Sequence, residues 1–183
     1  MKSGPMNPAR PMPSDIDRPP LAGLRVPEEF YLVLERPARL AGMASPSVQT
    51  PWERLAREGF RFVVCLTDDE AAYDPAPIEV LHAVCLEDLF GGLPPADPER
   101  EADKILVAVD RTVAALRAGD GVIVHCAGGT GRTGTVIGGV LRRLGCSAGD
   151  ARGYLGRLHR ARDAAWPESP WARALLARIL PVQ

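Results

Sequence analysis

The sequence predicts an α/β domain in which a central, mostly parallel sheet is flanked by helices. Two apolar, β-branched runs, Phe60–Leu66 (FRFVVCL) and Gly121–His125 (GVIVH), lack the alternation of a half-solvated strand. They read as strands covered on both faces. Between them lies a long segment of helical periodicity, 98–118, and strand–helix–strand is the order that a parallel pair requires. With 183 residues, 46% of them apolar, the chain suits one domain with a sizeable core.

Taken in order, residues 1–20 are rich in proline and predict a disordered tail ahead of a single domain over 21–183. Phe30–Leu34 and Arg39–Ala44 read as short strands. Thr50-Pro51 predicts an N-cap and first-turn proline for a brief helix carrying Trp52 and Leu55, stopped at Gly59. Phe60–Leu66 is a central strand in which Cys65 is a core residue and a candidate redox partner for Cys126; Cys85 is a second candidate for redox control. Thr67-Asp68-Asp69-Glu70 form a strand-end loop with solvated acids, and Ile78–Val84 is the next strand.

The loop Leu86–Pro95, rich in glycine and proline, is a place for a mobile acid. Asp97-Pro98 then reads as the N-cap and first-turn proline of helix 98–118. That helix turns Ala102, Ile105, Leu106, Val109, Val113 and Leu116 to the core and stops at Gly119. Ser147 predicts the cap of a helix through about Arg160, with Ala151, Tyr154, Leu155 and Leu158 inward. Its Arg152, Arg157 and Arg160, with Arg162 beyond, read as a solvated basic face or as the flank of a pocket for acidic substrate. Ser169-Pro170 opens a last helix that packs through Trp171, Leu175 and Ile179.

The chemistry concentrates between Gly121 and Leu144. An apolar strand ends at His125-Cys126, the glycine-rich loop Ala127-Gly128-Gly129-Thr130-Gly131 follows, and Arg132-Thr133 open a helix that stops at Gly145. Successive backbone N–H groups leading into a helix form a concave nest for an anion, and the helix dipole adds about half a positive charge at its mouth. Gly128, Gly129 and Gly131 are able to take positive φ, and Arg132 offers a planar fork suited to two phosphate oxygens. These charges converge on Cys126, an environment that makes a cysteine a nucleophile aimed at a bound oxyanion.

Spacing alone is weak support. Twenty of the residues are arginine, so four cysteines give roughly 0.4 Cys-x5-Arg matches by chance. The second match, Cys146…Arg152, follows a helix and holds Asp150 inside it, which would repel phosphate. It reads as a packing or surface thiol. Gly129-x-Gly131-x-x-Gly134 also fits a dinucleotide fingerprint, which would make the chain an oxidoreductase. No acidic residue follows at the end of a second strand, and that reading leaves Cys126 and Arg132 idle.

The run His125-Cys126-Ala-Gly-Gly-Thr-Gly-Arg132-Thr133-Gly134 resembles the HCxxGxxR[ST]G signature of the cysteine-dependent protein tyrosine phosphatases. The short chain is similar to their dual-specificity branch, above all the kinase-associated phosphatase type. The resemblance implies hydrolysis of phosphomonoesters through a cysteinyl-phosphate on Cys126. Arg132 and the amides of Ala127, Gly128, Gly129, Thr130 and Gly131 would hold the phosphoryl oxygens. It also implies a general acid on the loop after the strand, shortly before a proline. Asp88 matches, with Glu87 as the close competitor and Asp97 next. Thr133 would donate to the Cys126 sulfur and His125 would buttress the loop. No metal or other cofactor is implied, since arginine and amides supply the positive charge. A non-catalytic phosphate-binding relative is the alternative.

Composition agrees with such a protein. Net charge is −1, which points to neither bulk nucleic-acid nor membrane binding. No run of eighteen apolar residues and no signal-like N-terminus is present, and four cysteines without framework spacing predict a reducing, cytoplasmic location. The implied partner is a phosphorylated protein or a small phosphomonoester. The loop carries no lysine, unlike those of phosphoinositide phosphatases, and no C-terminal glutamine is present near Trp166–Arg173 to position a hydrolytic water.

Overall fold

The computed structural model describes residues 12–13, 21, 26, 29–68, 72–167 and 169–181. Their strands are β1 (Met12–Pro13), β2 (Tyr31–Arg36), β3 (Leu40–Met43), β4 (Phe60–Cys65), β5 (Glu79–Ala83) and β6 (Gly121–His125). The helices are α1 (Trp52–Arg57), α2 (Pro98–Ala118), α3 (Gly131–Arg143), α4 (Ala148–Ala161) and α5 (Pro170–Arg178). The strands form one sheet in the order β1-β2-β3-β6-β4-β5. β3, β6, β4 and β5 are parallel, and β2 and β1 add antiparallel at one edge. The expected mostly parallel sheet is therefore present. Met12–Pro13, inside the proline-rich segment, belong to the sheet edge; the rest of 1–20, and Asp69 and Glu70 of the expected acidic loop, lie outside the described residues.

β6 has neighbours on both sides, and all five of its residues are buried. Its side chains alternate between two cores, as strand geometry demands. Val122, Val124 and the following Cys126 pack with Val64 under α2, α3, α4 and α5. Ile123 packs with Val63, Ala41 and Met43 under Trp52 and Leu55 of α1. In register, His125 lies between Met43 of β3 and Cys65 of β4, so three parallel strands end together. The crevice beyond such ends is where open α/β sheets place their ligands.

Asp97, Ser147 and Ser169 cap α2, α4 and α5 as the sequence predicts, accepting from the N–H groups of Arg100, Asp150 and Ala172. Thr50 does not cap α1. Its Oγ1 accepts instead from Ser47 N at 2.9 Å, and α1 begins behind Pro51 without a side-chain cap. Two readings that the sequence already disfavours also fail on topology. Only helices follow α3 among the described residues, so a dinucleotide-binding βαβ unit lacks its second strand. Residues 148–152 of the second Cys-x5-Arg match are helical and form no loop. Buried Arg142 ties α3 to the end of α5, donating to Leu176 O and Ile179 O. No helix among the described residues is long and apolar enough to cross a membrane.

Candidate active site

β6 delivers His125 and Cys126, both buried, to the C-terminal edge of the sheet, and residues 127–130 turn the chain into α3. The loop's carbonyls are held from outside. Ser45 N donates to Ala127 O (3.0 Å), Ser45 Oγ to Cys126 O (3.3 Å) and Tyr31 OH to Gly129 O (2.7 Å). In a planar trans peptide the N–H points opposite to the C=O. Anchoring these three carbonyls outward turns the amides of Ala127, Gly128 and Thr130 toward the concave side.

Of the three loop glycines expected to take positive φ, Gly129 alone does so, at 67°. Gly131 is already the first residue of α3 and takes helical geometry. A Cβ on Gly129 would stand 2.5 Å from the Met43 carbonyl carbon, so the loop backbone lies directly on the end of β3. Gly134 serves packing instead. A Cβ there would collide with Trp166 Nε1.

Cys126, Gly128, Thr130, Gly131 and Arg132 line one cleft of about 390 Å³ together with Asp88, Phe90 and residues 163–165. Three chain segments thus meet around the cleft: the loop after β6, the segment after β5 and the turn after α4. Arg132 projects from the first turn of α3 toward the β5–α2 segment, with Nη2 3.2 Å from Asp88 Oδ2 and Nη1 3.5 Å from Leu86 O. His125, Gly129 and Thr133 are buried behind the cleft, and Ala127 is exposed beside it. Thr133 Oγ1 is buried with no hydrogen-bond partner among the described residues.

The three acid candidates occupy different places. Asp88 faces the cleft, with Oδ1 accepting from Phe90 N at 3.1 Å. Glu87 turns away, its carboxylate accepting from Ala96 N at 2.9 and 3.2 Å. Asp97 is engaged as the α2 cap. Among α4's outward arginines and Arg162, none lines the cleft, so the pocket-flank reading is not supported. Arg162 pairs with Glu29 and lies over the Tyr31 ring. Cys65, on the sheet face of its register partner His125, has Sγ 3.4 Å from Thr67 Oγ1.

Sequence reasoning missed several residues here. Tyr73, in the β4–β5 connection, places its hydroxyl 2.6 Å from His125 Nε2 and stacks on Trp52. A lone tyrosine in an aperiodic segment gives no signal of this. Phe90, 83% exposed, stands on the cleft rim, and Asp163 lines it at a positive φ of 55°. A solvent-facing phenylalanine on a Gly/Pro-rich loop was a readable hint; Asp163 carried none.

A sheet of this order, with a cysteine at the end of its central strand and an arginine six residues on at a helix N-terminus, defines a cysteine-dependent phosphatase fold. The family model described as PTP-SAK, Swiss Army Knife protein, DSP-PTPase phosphatase domain, matches residues 30–178. The chain belongs to that family, within the dual-specificity branch of the cysteine-dependent protein tyrosine phosphatases. Among solved structures it is similar to Tk-PTP in its active form, at 27% identity and a TM-score of 0.57, over 78% of this chain and 91% of that one. P. aeruginosa TpbA in complex with phosphotyrosine is similar in fold at 21% identity and a TM-score of 0.57, over 80% and 83%. Kinase-associated phosphatase shares the fold at 20% identity and a TM-score of 0.54, over 76% and 84%.

Proposed function

We propose that the chain is a phosphomonoester hydrolase that works through a cysteinyl-phosphate on Cys126, with residues 21–183 as one catalytic unit. The supporting observation is that Cys126, Arg132 and Asp88 line the same cleft. In the first step the Cys126 sulfur forms a bond to phosphorus and the ester P–O bond breaks. Asp88 gives its proton to the departing oxygen. The Arg132 fork and the loop amides hold the three equatorial oxygens, whose charge they stabilise in the transition state. In the second step water attacks phosphorus, Asp88 takes its proton, and the sulfur leaves. Thr133 donates to that sulfur, a role supported by its buried hydroxyl having no partner among the described residues. His125, braced by Tyr73, supports the loop from behind.

The substrate is a phosphorylated protein or small phosphomonoester of low charge. Among the described residues that line the cleft Arg132 is the sole cation, whereas Asp88 and Asp163 both face it, and a polyanionic headgroup would meet repulsion there. Turnover of a small aryl phosphate without added metal, abolished in Cys126→Ser, is the test. Full activity in that variant would sink the mechanism.

A further inference from the structure

Glu101 lies in the first turn of α2 on the apolar face, one turn before Ile105, and is 2% exposed. A carboxylate on the helix face that buries Ile105, Ala108 and Val109 is costly unless something uses it. Its two oxygens are both engaged. Oε1 accepts from Glu87 N at 2.7 Å, and Oε2 pairs with Lys104 Nζ at 3.0 Å, which also donates to Cys85 O. The peptide between Leu86 and Glu87 is therefore held from two sides, its N–H by Glu101 and its carbonyl by the long contact from Arg132. The side chain of the same Glu87 closes the segment by accepting from Ala96 N at its far end.

We propose that Glu101 and Glu87 are positioning residues for Asp88. Together they clamp both ends of the segment from Asp88 to Pro95, so that the Asp88 carboxyl stays in the cleft while Gly91 and Gly92 leave the tip adaptable. Neither touches the reacting atoms. Glu101 acts from α2 through the backbone of residue 87, and Glu87 acts through the backbone of residue 96. This rests on the reading of Asp88 as the acid.

The test compares Glu101→Leu, Glu101→Gln and Glu87→Ala on two aryl phosphates, one with a poor and one with an activated leaving group. Loss of proton donation shows on the poor leaving group, so Glu101→Leu and Glu87→Ala should lose about 10-fold or more in kcat on that ester and under about 3-fold on the other. Glu101→Gln keeps an acceptor for Glu87 N–H and should restore most of the loss. In an Asp88→Asn background the Glu101→Leu effect should vanish, since both changes act on one step. Equal losses on both esters, or an undiminished loss in the Asp88→Asn background, would overturn the proposal.

Amide hydrogen exchange supplies a readout independent of turnover. Residues 86–97 should exchange about 10-fold faster in Glu101→Leu and Glu87→Ala, with 126–133 unchanged. If Glu101→Leu does not fold, Glu87→Ala, on the connecting segment, carries the same measurements. If the native protein turns over neither ester, the proposed function fails by itself. Exchange then decides the clamp: acceleration confined to 86–97 sustains it, and unchanged exchange overturns it.

Discussion

Arg132 Nη2 stands 3.2 Å from Asp88 Oδ2, so the one guanidinium that lines the cleft among the described residues is shared with a carboxylate of its own chain. The Asp88 side chain is 59% exposed, and a pair in that setting contributes about 0–1 kcal/mol. A phosphate dianion entering the cleft has to displace this carboxylate from the fork. Asp88→Asn removes the competitor and should tighten vanadate binding by up to about 5-fold. The same change removes the proposed acid and should lower kcat on a poor leaving group by about 10²-fold or more. The vanadate inhibition constant, read with an activated ester, checks the first effect. Unchanged or weaker binding would mean that the pair does not compete with substrate.

Arg132→Lys keeps the charge and loses the fork. One arm of the guanidinium reaches Asp88 and the other points at Leu86 O, a geometry that a single ammonium cannot reproduce. The expected result is a loss of about 10²- to 10³-fold in kcat/KM, the scale for removing an oriented donor from a transition-state oxyanion. Kinetics within about 3-fold of native would show that charge alone suffices.

What could be read in advance follows from how local the cause is. Strand β6, the loop after it and helix α3 are contiguous, so period and glycine placement announced Cys126 and Arg132 together. Caps at Asp97, Ser147 and Ser169 were equally legible, because a cap bonds within three residues of itself. Thr50 had the same look but was drawn into a turn with Ser47. Contacts across long sequence separations left no such trace. Tyr73 on His125, Tyr31 on Gly129 O and Asp163 on the rim come from the β4–β5 connection, the start of β2 and the turn after α4, which only the folded sheet brings together. Glu101 did leave a mark, an acid in phase with Ile105 and Val109, but the apolar stripe drew attention past it.

Gly129→Ala tests whether the loop is held by its approach to β3. The position combines φ of 67° with a Cβ site 2.5 Å from the Met43 backbone. Backbone cannot yield as a side-chain tip can, and the left-handed conformation alone costs an alanine about 1–2 kcal/mol. Stability should fall by about 1–3 kcal/mol, and phosphate should no longer protect Cys126 from alkylation. Gly128→Ala is the contrast, since a Cβ there meets nothing within 4 Å and φ is not positive. Its stability should change by less than about 0.5 kcal/mol. Equal destabilisation by both substitutions would mean that the loop is not seated on β3 as described.

His159 gives the fold a pH dependence whose sign is fixed by burial. The ring is fully buried between Tyr31 and Trp166, and Nδ1 faces Arg162 Nη1 at 3.2 Å. Burial first, and the Arg162 charge second, lower its pKa from 6.5 to about 4. In the folded chain the imidazole is therefore neutral at pH 5, whereas in the unfolded chain it is protonated. The unfolded state binds the extra proton, so the contribution is complete above pH 6.5, declines as pH falls and is exhausted near pH 4. Between pH 7.5 and pH 5 the loss is about 2 kcal/mol. His159→Gln keeps an acceptor for Arg162 and does not titrate. Unfolding by urea at the two pH values should show a fall in the native protein that exceeds that of the variant by about this amount. Carboxylates elsewhere titrate in both proteins and cancel in the comparison, so parallel losses would show that His159 is not held neutral by the fold.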